Sequence, residues 1–361
     1  MIERRQLKKG VSWRVRHWLP DGTERSRSFP SKREAVAYEA EVNSARQSRT
    51  YIDPRRSRMT VGMLWPLYLS AQQSRLKPKT LAGYVFEWEK RVRPQWQATR
   101  LDQISWEAVQ DWVLVMGSGV GPSSVRYAFR VFSLLLDFGV RSQRIASNPA
   151  KNVALPRLER KPPRFLTVKQ VEDLAAAAGE TSIMYADLVR LMAYSGLRAG
   201  EVVALRVEDV DLSTGKIHVR HNAPTIAGRI VEGTPKTAAS LRTVQIVPQL
   251  REILERRTEG RASPALIFHA PTNSASFLRI ENMRRDTRWP ELVSRLGLDG
   301  MTVHHLRHTF ASLARASGAD LTMVQKLMGH ASITTTARVY ADIFEEEYAE
   351  FANRFGHLPG A

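Results

Sequence analysis

Residues 1–58 alternate between polar and apolar positions and then change to a helical period. The stretch "SWRVRHW" alternates as a half-buried strand does, "PDG" at 20–22 is typical of a tight turn, and "TERSRSF" predicts the return strand. The segment "SKREAVAYEAEV" then has helical spacing, and Ser31 with Glu34 has the pattern of a capping box. The pattern predicts a small β-sheet backed by one helix.

Residues 59–155 keep a helical period. Apolar residues recur at spacings of three and four in "VGMLWPLYLSAQQS", "TLAGYVFEWEKRV", "SWEAVQDWVLVM" and "PSSVRYAFRVFSLLLDFGV", which predicts core-facing helices. Pro122 opens the last of them, as suits the first turn of a helix. The proline-rich, basic stretch at 156–165 predicts a linker, because adjacent prolines interrupt a helix.

Between residues 166 and 361, helical segments alternate with a block of short strands. The segments "KIHVRH", "GRIVEG" and "LRTVQIV" predict the strands, and Thr167 with Gln170 predicts a capped helix at the start. We therefore predict a multidomain, mainly α-helical protein with small β-sheets. Its parts are a sheet-plus-helix domain (1–58), an all-helical domain (59–155) and a mixed α+β domain (166–361).

The charge of the chain is strongly positive. It has 54 Lys and Arg against 36 Asp and Glu, a net charge of +18. Residues 1–58 hold 15 of the basic and 7 of the acidic residues, so they are the most basic part of the chain. This balance favours a polyanionic partner, with nucleic acid first and an anionic membrane surface second. A merely basic soluble protein is the alternative.

Several basic residues stand where DNA contact is plausible. Arg14, Arg16, Arg25 and Arg27 alternate along the predicted hairpin, so we predict one basic face that enters a DNA groove; a solvated sheet face is the alternative. Other candidates lie before the second predicted helix and along the fourth, where an ordinary solvated face is again the alternative. They are Lys77, Lys79, Arg126 and Arg130.

Composition excludes some chemistry. The chain has no cysteine, which excludes disulfides and thiolate metal sites and is compatible with a reducing compartment. No run approaches about eighteen consecutive apolar residues, so no membrane span is predicted. The N-terminal "MIERRQLKKG" has no apolar segment after its charges, so we do not expect a secretory signal.

The segment "YSGLRAGEVVAL" places an arginine between two predicted helices. The first helix ends near Tyr194, Gly196 can adopt the left-handed cap, and the next helix begins around Ala199. Arg198 therefore lies beside a helix N-terminus, where an anion is favoured, and its guanidinium can hold a phosphate through two hydrogen bonds. The alternative is a structural salt bridge to Glu201.

Two further segments carry groups that can move a proton. Lys236 lies in a predicted turn between strands, where it can act as an acid or simply be solvated. His304 and Arg307 share one helical face, and the helix dipole disfavours the cation of a first-turn histidine. His305 and His308 lie on a neighbouring face. A metal site there would need two more ligands, so none is predicted.

The segment "LMGHASITTTARVY" places His330 after the helix-ending Gly329 and Tyr340 ten residues later. A tyrosine hydroxyl has a pKa near ~10, so it is a poor nucleophile without a base and cations beside it. Taken alone, Tyr340 is therefore expected to be a half-buried core residue.

The order Arg, Lys, His-x-x-Arg, His, Tyr resembles the catalytic domain of the tyrosine recombinases, the phage integrase family. The resemblance covers about residues 165–345. Residues 59–155 look like the helical, SAM-like core-binding domain of that family, and residues 1–58 less specifically like its arm-type DNA-binding domain. The family often has Asp where this chain has His305. The matching residues are Arg198, Lys236, His304, Arg307, His330 and Tyr340.

The resemblance implies a metal-free and ATP-free reaction with no cofactor. The two arginines would hold the scissile phosphate while the tyrosine attacks it and forms a 3′-phosphotyrosine. His304 would act as acid and base for the tyrosine, Lys236 would protonate the leaving 5′ oxygen, and His330 would donate to the phosphate. Glu201 and His308 would support these groups from behind.

The resemblance also implies partners. They are double-stranded DNA attachment sites, three further copies of the chain in a tetramer, and DNA-bending and directionality proteins, in a bacterial cytoplasm near the nucleoid and with no membrane. The tail "ADIFEEEYAEFANRF" would close its own core or dock on a neighbouring protomer. Two alternatives remain: relaxation of DNA by a type IB topoisomerase, and a DNA-binding regulator with an inactive site.

Overall fold

The computed structural model divides into two compact units, residues 1–159 and 160–361. Each unit combines helices with small β-sheets, which confirms the predicted fold class. The turn at 20–22, Lys236, Tyr340 and the tail at 341–355 lie outside the described residues. The structure describes residues 1–7, 10–18, 24–47, 57–159, 164–233, 241–330, 332–334 and 337.

The first unit begins with a three-stranded antiparallel sheet in the order β1-β2-β3. Helix α1 follows, and its Tyr38 packs against Phe29 of β3, with ring centroids 5.0 Å apart. Half of the predicted capping box is present, because the Glu34 N–H donates to Ser31 Oγ at 3.2 Å, while the Ser31 hydroxyl donates to the Glu34 carboxylate at 3.0 Å. The elements are β1 (Ile2–Leu7), β2 (Gly10–Trp18), β3 (Glu24–Phe29) and α1 (Lys32–Gln47).

The predicted single basic face of this sheet is wrong. Arg14 pairs with a serine of β3, whereas Arg27 pairs with Val15, so Arg27 shares the face of the buried valine. Because side chains alternate along each strand, Arg16 lies with Arg14 and Arg25 lies with Arg27, on opposite faces of the sheet. The Arg27 guanidinium lies 5.2 Å from the centroid of the Tyr38 ring of α1.

Residues 61–141 of the first unit are mainly helical, and several aromatic side chains pack in their core. The rings of Trp65 and Trp88 stack with centroids 4.5 Å apart, and Trp96 stacks on Phe132 at 4.8 Å. Pro122 opens the last helix, as predicted. The helices are α2 (Val61–Gln73), α3 (Pro78–Glu87), which continues through a π-helical turn (Trp88–Val92), α4 (Arg93–Trp96), α5 (Trp106–Gly119) and α6 (Pro122–Arg141).

The second unit surrounds helix α8, which is buried along most of its length. Thr167 and Gln170 form the predicted capping box of the preceding helix. The helices are α7 (Val168–Gly179), α8 (Ile183–Ser195), α9 (Ala199–Val203), α10 (Pro248–Thr258), α11 (Ile280–Asp286), α12 (Trp289–Arg295), α13 (Val303–Ala316) and α14 (Leu321–Met328).

Short strands flank these helices. Strands β4, β5 and β8 form an antiparallel sheet in the order β4-β5-β8, and β6 with β7 and β9 with β10 form two-stranded ribbons. The predicted strand segments are confirmed, although each strand is shorter than its segment. The strands are β4 (Val210–Asp211), β5 (Lys216–Val219), β6 (Thr225–Ile226), β7 (Arg229–Ile230), β8 (Arg242–Gln245), β9 (His269–Ala270) and β10 (Asn273–Phe277).

A sharp turn connects α8 to α9. Gly196 has the predicted left-handed conformation with a φ of 65°. A Cβ atom at this position would lie 2.3 Å from the ring of Phe310 on α13, so only glycine fits. The turn therefore brings the start of α9 close to α13.

Candidate active site

The C-terminus of α14 is the centre of the candidate site. Three consecutive backbone carbonyls there accept hydrogen bonds from three different arginines. Arg242 Nε donates to the Leu327 carbonyl at 2.7 Å, and the guanidinium of Arg307 donates to the Met328 carbonyl. The last carbonyls of a helix have no partner within the helix and form the negative end of its dipole, so they stabilise cations.

Arg198 reaches this cluster from the start of α9, as the sequence predicted. Its Nη2 donates to the Gly329 carbonyl at 2.8 Å, and its Nη1 donates to Glu201 Oε1 at 2.8 Å. The salt bridge to Glu201 that was the alternative role is therefore present. The Arg198 side chain is 35% exposed, so it remains accessible to an incoming anion.

Arg307 is the most deeply buried cation of the cluster, with 1% of its surface exposed. It donates to the backbone carbonyls of Gly196 and Met328. No carboxylate forms an ion pair with it among the described residues. Burial, and then the charge of Arg198, lower the pKa of Arg307 to about 9, so it is still protonated at neutral pH.

Sequence reasoning missed Arg242, the first residue of β8. Its side chain is 6% exposed, and its Nη1 and Nη2 donate to the two oxygens of Glu201 at 3.1 and 3.0 Å. Burial raises the pKa of Glu201, but the hydrogen bond and charge of Arg242 outweigh it and hold this pKa below its usual value. A basic residue that opens a strand was the available indication, but alternation alone does not distinguish it from a surface arginine.

The cluster has a surplus of buried positive charge. Arg198, Arg242 and Arg307 carry three positive charges, and among the described residues Glu201 is the carboxylate that pairs with the first two. Uncompensated buried charge is costly, so the arrangement favours an anion bound against these arginines. Planar guanidinium groups match the oxygens of a phosphate in particular.

Three histidines lie close to Arg307. His304 lies in the first turn of α13, as predicted, with its ring centroid 4.8 Å from that of His308. Burial, and then the charge of Arg307, lower the pKa of His304 and bring that of His330 to about 4. Burial lowers the pKa of His308 to about 3, so all three side chains are neutral at pH 7.

His305 and His308 differ in their hydrogen bonds. The Thr302 N–H donates to His305 Nδ1 at 3.2 Å, so His305 caps the start of α13. His308 Nδ1 is buried and has no hydrogen-bond partner in the described part of the chain.

Lys236 and Tyr340 stay predictions, because both lie outside the described residues. The structure does anchor the two ends of the segment that contains Lys236. Before the segment, Gly233 and Asn222 exchange backbone hydrogen bonds of 2.9 and 3.1 Å. Ala223, which follows Asn222 in the chain, donates its N–H to the Gly200 carbonyl of α9 at 2.8 Å. After it comes Arg242, which holds Glu201 of the same helix.

The predicted DNA-contact residues of the helical region lie in the first unit. Lys77 and Lys79 are exposed at the start of α3. Arg126 and Arg130 line an open pocket of about 500 Å³ beside α6, and Arg126 Nη1 donates to the Pro156 carbonyl at 3.1 Å. On the sheet, Arg14 Nη2 donates to Ser26 Oγ at 2.7 Å.

Within the described residues, no group of three or more His, Cys, Asp or Glu side chains is placed to hold a metal ion. No helix in the described part of the chain is long and apolar enough to cross a bilayer.

Comparison with known proteins relates the sequence of the chain to one family. The model of the phage integrase family matches residues 164–347, about half of the chain. The ICEBs1 integrase of Bacillus subtilis (strain 168) is 24% identical over 360 residues, with 93% of each chain covered.

Solved structures share the fold at low sequence identity. The Tn1549 transposon integrase in complex with a circular intermediate DNA is 19% identical, with a TM-score of 0.66 over 81% of this chain and 99% of that chain. A lambda integrase tetramer bound to a Holliday junction is 17% identical, with a TM-score of 0.59 over 93% of this chain and 96% of that chain.

Proposed function

The chain belongs to the phage integrase family, and from this membership we propose that it is the site-specific recombinase of an integrative element. It cleaves and rejoins DNA strands at attachment sites, with double-stranded DNA as its substrate. It needs neither a metal nor ATP. Integration is its basic reaction, and excision requires accessory proteins of the host or the element.

The observation that carries this proposal is the surplus positive charge at the end of α14. A DNA phosphodiester has a single negative charge, and attack by a tyrosinate adds a second one in the pentacoordinate state. Groups that are fixed before the reaction and aimed at developing charge stabilise a transition state most effectively. Arg198 and Arg307 therefore hold the non-bridging oxygens of the scissile phosphate. In many phosphoryl-transfer sites a magnesium ion supplies this charge.

The proton transfers follow from the neutral histidines. His304 takes the proton of the Tyr340 hydroxyl as the Tyr340 oxygen forms its bond to phosphorus. The bond from phosphorus to the 5′ oxygen breaks at the same time, and Lys236 gives this oxygen a proton. His330 donates a hydrogen bond to the phosphate. A 5′-hydroxyl of the partner strand then reverses these steps, so the ester keeps the bond energy for rejoining.

The other parts of the chain bind DNA and partner protomers. We assign arm-type sites to residues 1–58, core sites to residues 59–155 and catalysis to residues 166–361, joined by the linker at 156–165. The relatives are integrases, and the lambda integrase structure is a tetramer on a Holliday junction, which supports a tetramer of this chain on DNA. The DNA-contact candidates are Arg14, Arg16, Arg25, Arg27, Lys77, Lys79, Arg126 and Arg130. We place the protein in the bacterial cytoplasm, at the nucleoid.

A nicked suicide duplex with the attachment site of the element tests the nucleophile. Wild type and Tyr340→Phe are incubated with the duplex in EDTA, and the products are separated on a denaturing gel. We expect a covalent protein–DNA band with the wild type alone, while both proteins bind the duplex equally. A band with Tyr340→Phe would contradict the assignment of the nucleophile. A missing band with bound wild type would contradict the proposed recombinase.

A further inference from the structure

Arg242 connects the elements that carry the proposed phosphate-binding groups. It lies at the start of β8, and its guanidinium donates both to Glu201 of α9 and to the Leu327 carbonyl of α14. We propose that Arg242 is a positioning residue of the strand-cleavage reaction, which acts by orienting Arg198 and the end of α14. This inference rests on the proposed function.

Glu201 divides its negative charge between two arginines. Its Oε1 accepts from Nη1 of both Arg198 and Arg242, and its Oε2 accepts from the Arg198 backbone N–H and from Arg242 Nη2. Both oxygens are therefore shared. Because Glu201 also pairs with Arg242, its negative charge is shared between two guanidinium groups. Glu201 therefore fixes the position of Arg198 but does not fully neutralise its positive charge. Its remaining charge is available to a phosphate.

Arg242 also holds the C-terminal turn of α14. The carbonyls of Leu327, Met328 and Gly329 belong to one turn, so they move together. Arg242 holds the first carbonyl at 2.7 Å, while the other two accept from Arg307 and Arg198. Without Arg242, this turn would be free to shift and would carry the hydrogen-bond partners of both phosphate-binding arginines with it. His330, the next residue along the chain, would shift as well.

Loss of Arg242 should slow DNA cleavage much more than it weakens DNA binding. Arg242 is 6% exposed and already bound on both sides, so it supports the phosphate-binding groups from behind. Its loss therefore changes geometry rather than DNA affinity. A displacement of roughly 1 Å at reacting groups costs about 100-fold in rate. We expect a loss of this order in the cleavage rate, with DNA binding changed by less than about two-fold.

The second unit contains a matched control. Arg257 is 15% exposed and donates to Asp187, a buried carboxylate that it shares with Arg256, so it resembles Arg242 in burial and pairing. Its ion pair and ring contact are with Asp187 and Phe268, and among the described residues none is with Arg198, Arg242, Arg307 or Glu201. Arg257→Ala should weaken the fold without slowing the cleavage rate of the folded protein.

The experiment measures single-turnover formation of the covalent complex on the suicide duplex, with saturating protein and at a temperature where each variant is folded. Wild type, Arg242→Ala, Arg242→Lys and Arg257→Ala are compared, with gel-shift affinities and unfolding curves for each. We expect Arg242→Ala to be about 100-fold slow, Arg242→Lys to recover about a tenth of the wild-type rate, and Arg257→Ala to match wild type. Equal rates for Arg242→Ala and wild type would overturn the proposal.

A second background separates positioning from a general loss of structure. If Arg242 acts through Arg198, its loss should cost less than about ten-fold in an Arg198→Lys protein, because the affected geometry is already lost there. The full 100-fold cost in both backgrounds would overturn the proposal, and so would equal losses for Arg242→Ala and Arg257→Ala. If Arg242→Ala does not fold, Arg242→Lys decides: its cost of about ten-fold in the wild-type background should fall below about three-fold in the Arg198→Lys protein, and an unchanged ten-fold cost would overturn the proposal. A wild type without covalent complex would instead contradict the proposed function itself.

Discussion

Two buried carboxylates of the second unit are each held by two arginines, yet the surroundings of the two differ. Asp187 is fully buried and pairs with Arg256 and Arg257, and Arg256 is 46% exposed, so its surplus charge is in contact with water. Glu201 pairs with Arg198 and Arg242, but a third arginine is buried beside it with 1% of its surface exposed.

The difference distinguishes a structural ion pair from a binding site. Around Asp187, water screens the additional positive charge, and the arginines satisfy the carboxylate at little cost. Around Glu201, the surplus charge is removed from water and faces helix carbonyls instead. Burying a charge without a counterion opposes folding, so a protein gains from it only when an anion arrives. The surplus, rather than the salt bridge, identifies the site.

The largest expected effect comes from replacing Arg307, the buried arginine that has no ion pair among the described residues. Arg307→Gln should slow covalent complex formation by at least about 1,000-fold, or about 4 kcal/mol of barrier, because one of the two phosphate-binding cations is lost. The same change should leave the melting temperature of the DNA-free protein unchanged or higher, since an uncompensated charge has left the interior. Calorimetry and the suicide-duplex assay measure the two effects, and a strongly destabilised but active variant would contradict the comparison.

The second largest effect is expected at Asp187, with the opposite pattern. Asp187→Asn leaves Arg257, which is 15% exposed, without its carboxylate. Breaking a buried pair in this way costs about 3–5 kcal/mol of folding free energy. Urea unfolding should show this loss, whereas the cleavage rate of the folded variant should stay within about two-fold of wild type. A slow but stable variant would show that the Asp187 cluster also serves the reaction.

The smallest effect is a pH dependence from the histidines that lie close to Arg307. The pKa of His308 is lowered to about 3 and that of His330 to about 4, below the ordinary value of 6.5. Between these values and 6.5 the unfolded chain binds more protons, so stability falls as pH falls, by up to about 1.4 kcal/mol per pH unit for each histidine. The stability is fully present above 6.5 and is lost towards pH 4.

Urea unfolding of wild type and His308→Asn at pH 7.5, 6 and 5 measures this dependence. The variant should lose less stability than wild type between pH 6 and pH 5, because one neutral buried histidine is gone. Because the His308 side chain is only partly buried, stability should fall by less than the limiting value of about 1.4 kcal/mol per pH unit. Parallel curves for the two proteins would contradict the contribution of His308.

Much of the local structure was predictable from short stretches of sequence. As predicted, Gly196 ends one helix, Thr167 caps another and Pro122 opens a third. These features were predictable because caps and turns depend on residues within about four positions of each other. The first-turn position of His304 and the start of a helix just after Arg198 followed from the same short-range rules. The predictions for Lys236 and Tyr340 remain untested.

The contacts between distant segments were not predictable in this way. The register of β2 and β3 placed Arg25 and Arg27 on the face opposite Arg14, since a strand pairing decides which residues share a face. No sequence pattern indicated that Arg242 would meet a helix 85 residues away.

By itself, then, the sequence determined the helices, their caps and the order of the candidate residues, because each depends on neighbouring positions. Only the tertiary structure decided that three arginines from distant segments meet at one helix C-terminus, where two of them share the carboxylate of Glu201. Whether a charge is neutralised depends on what packs around it in three dimensions, and spacing along the chain does not contain that information.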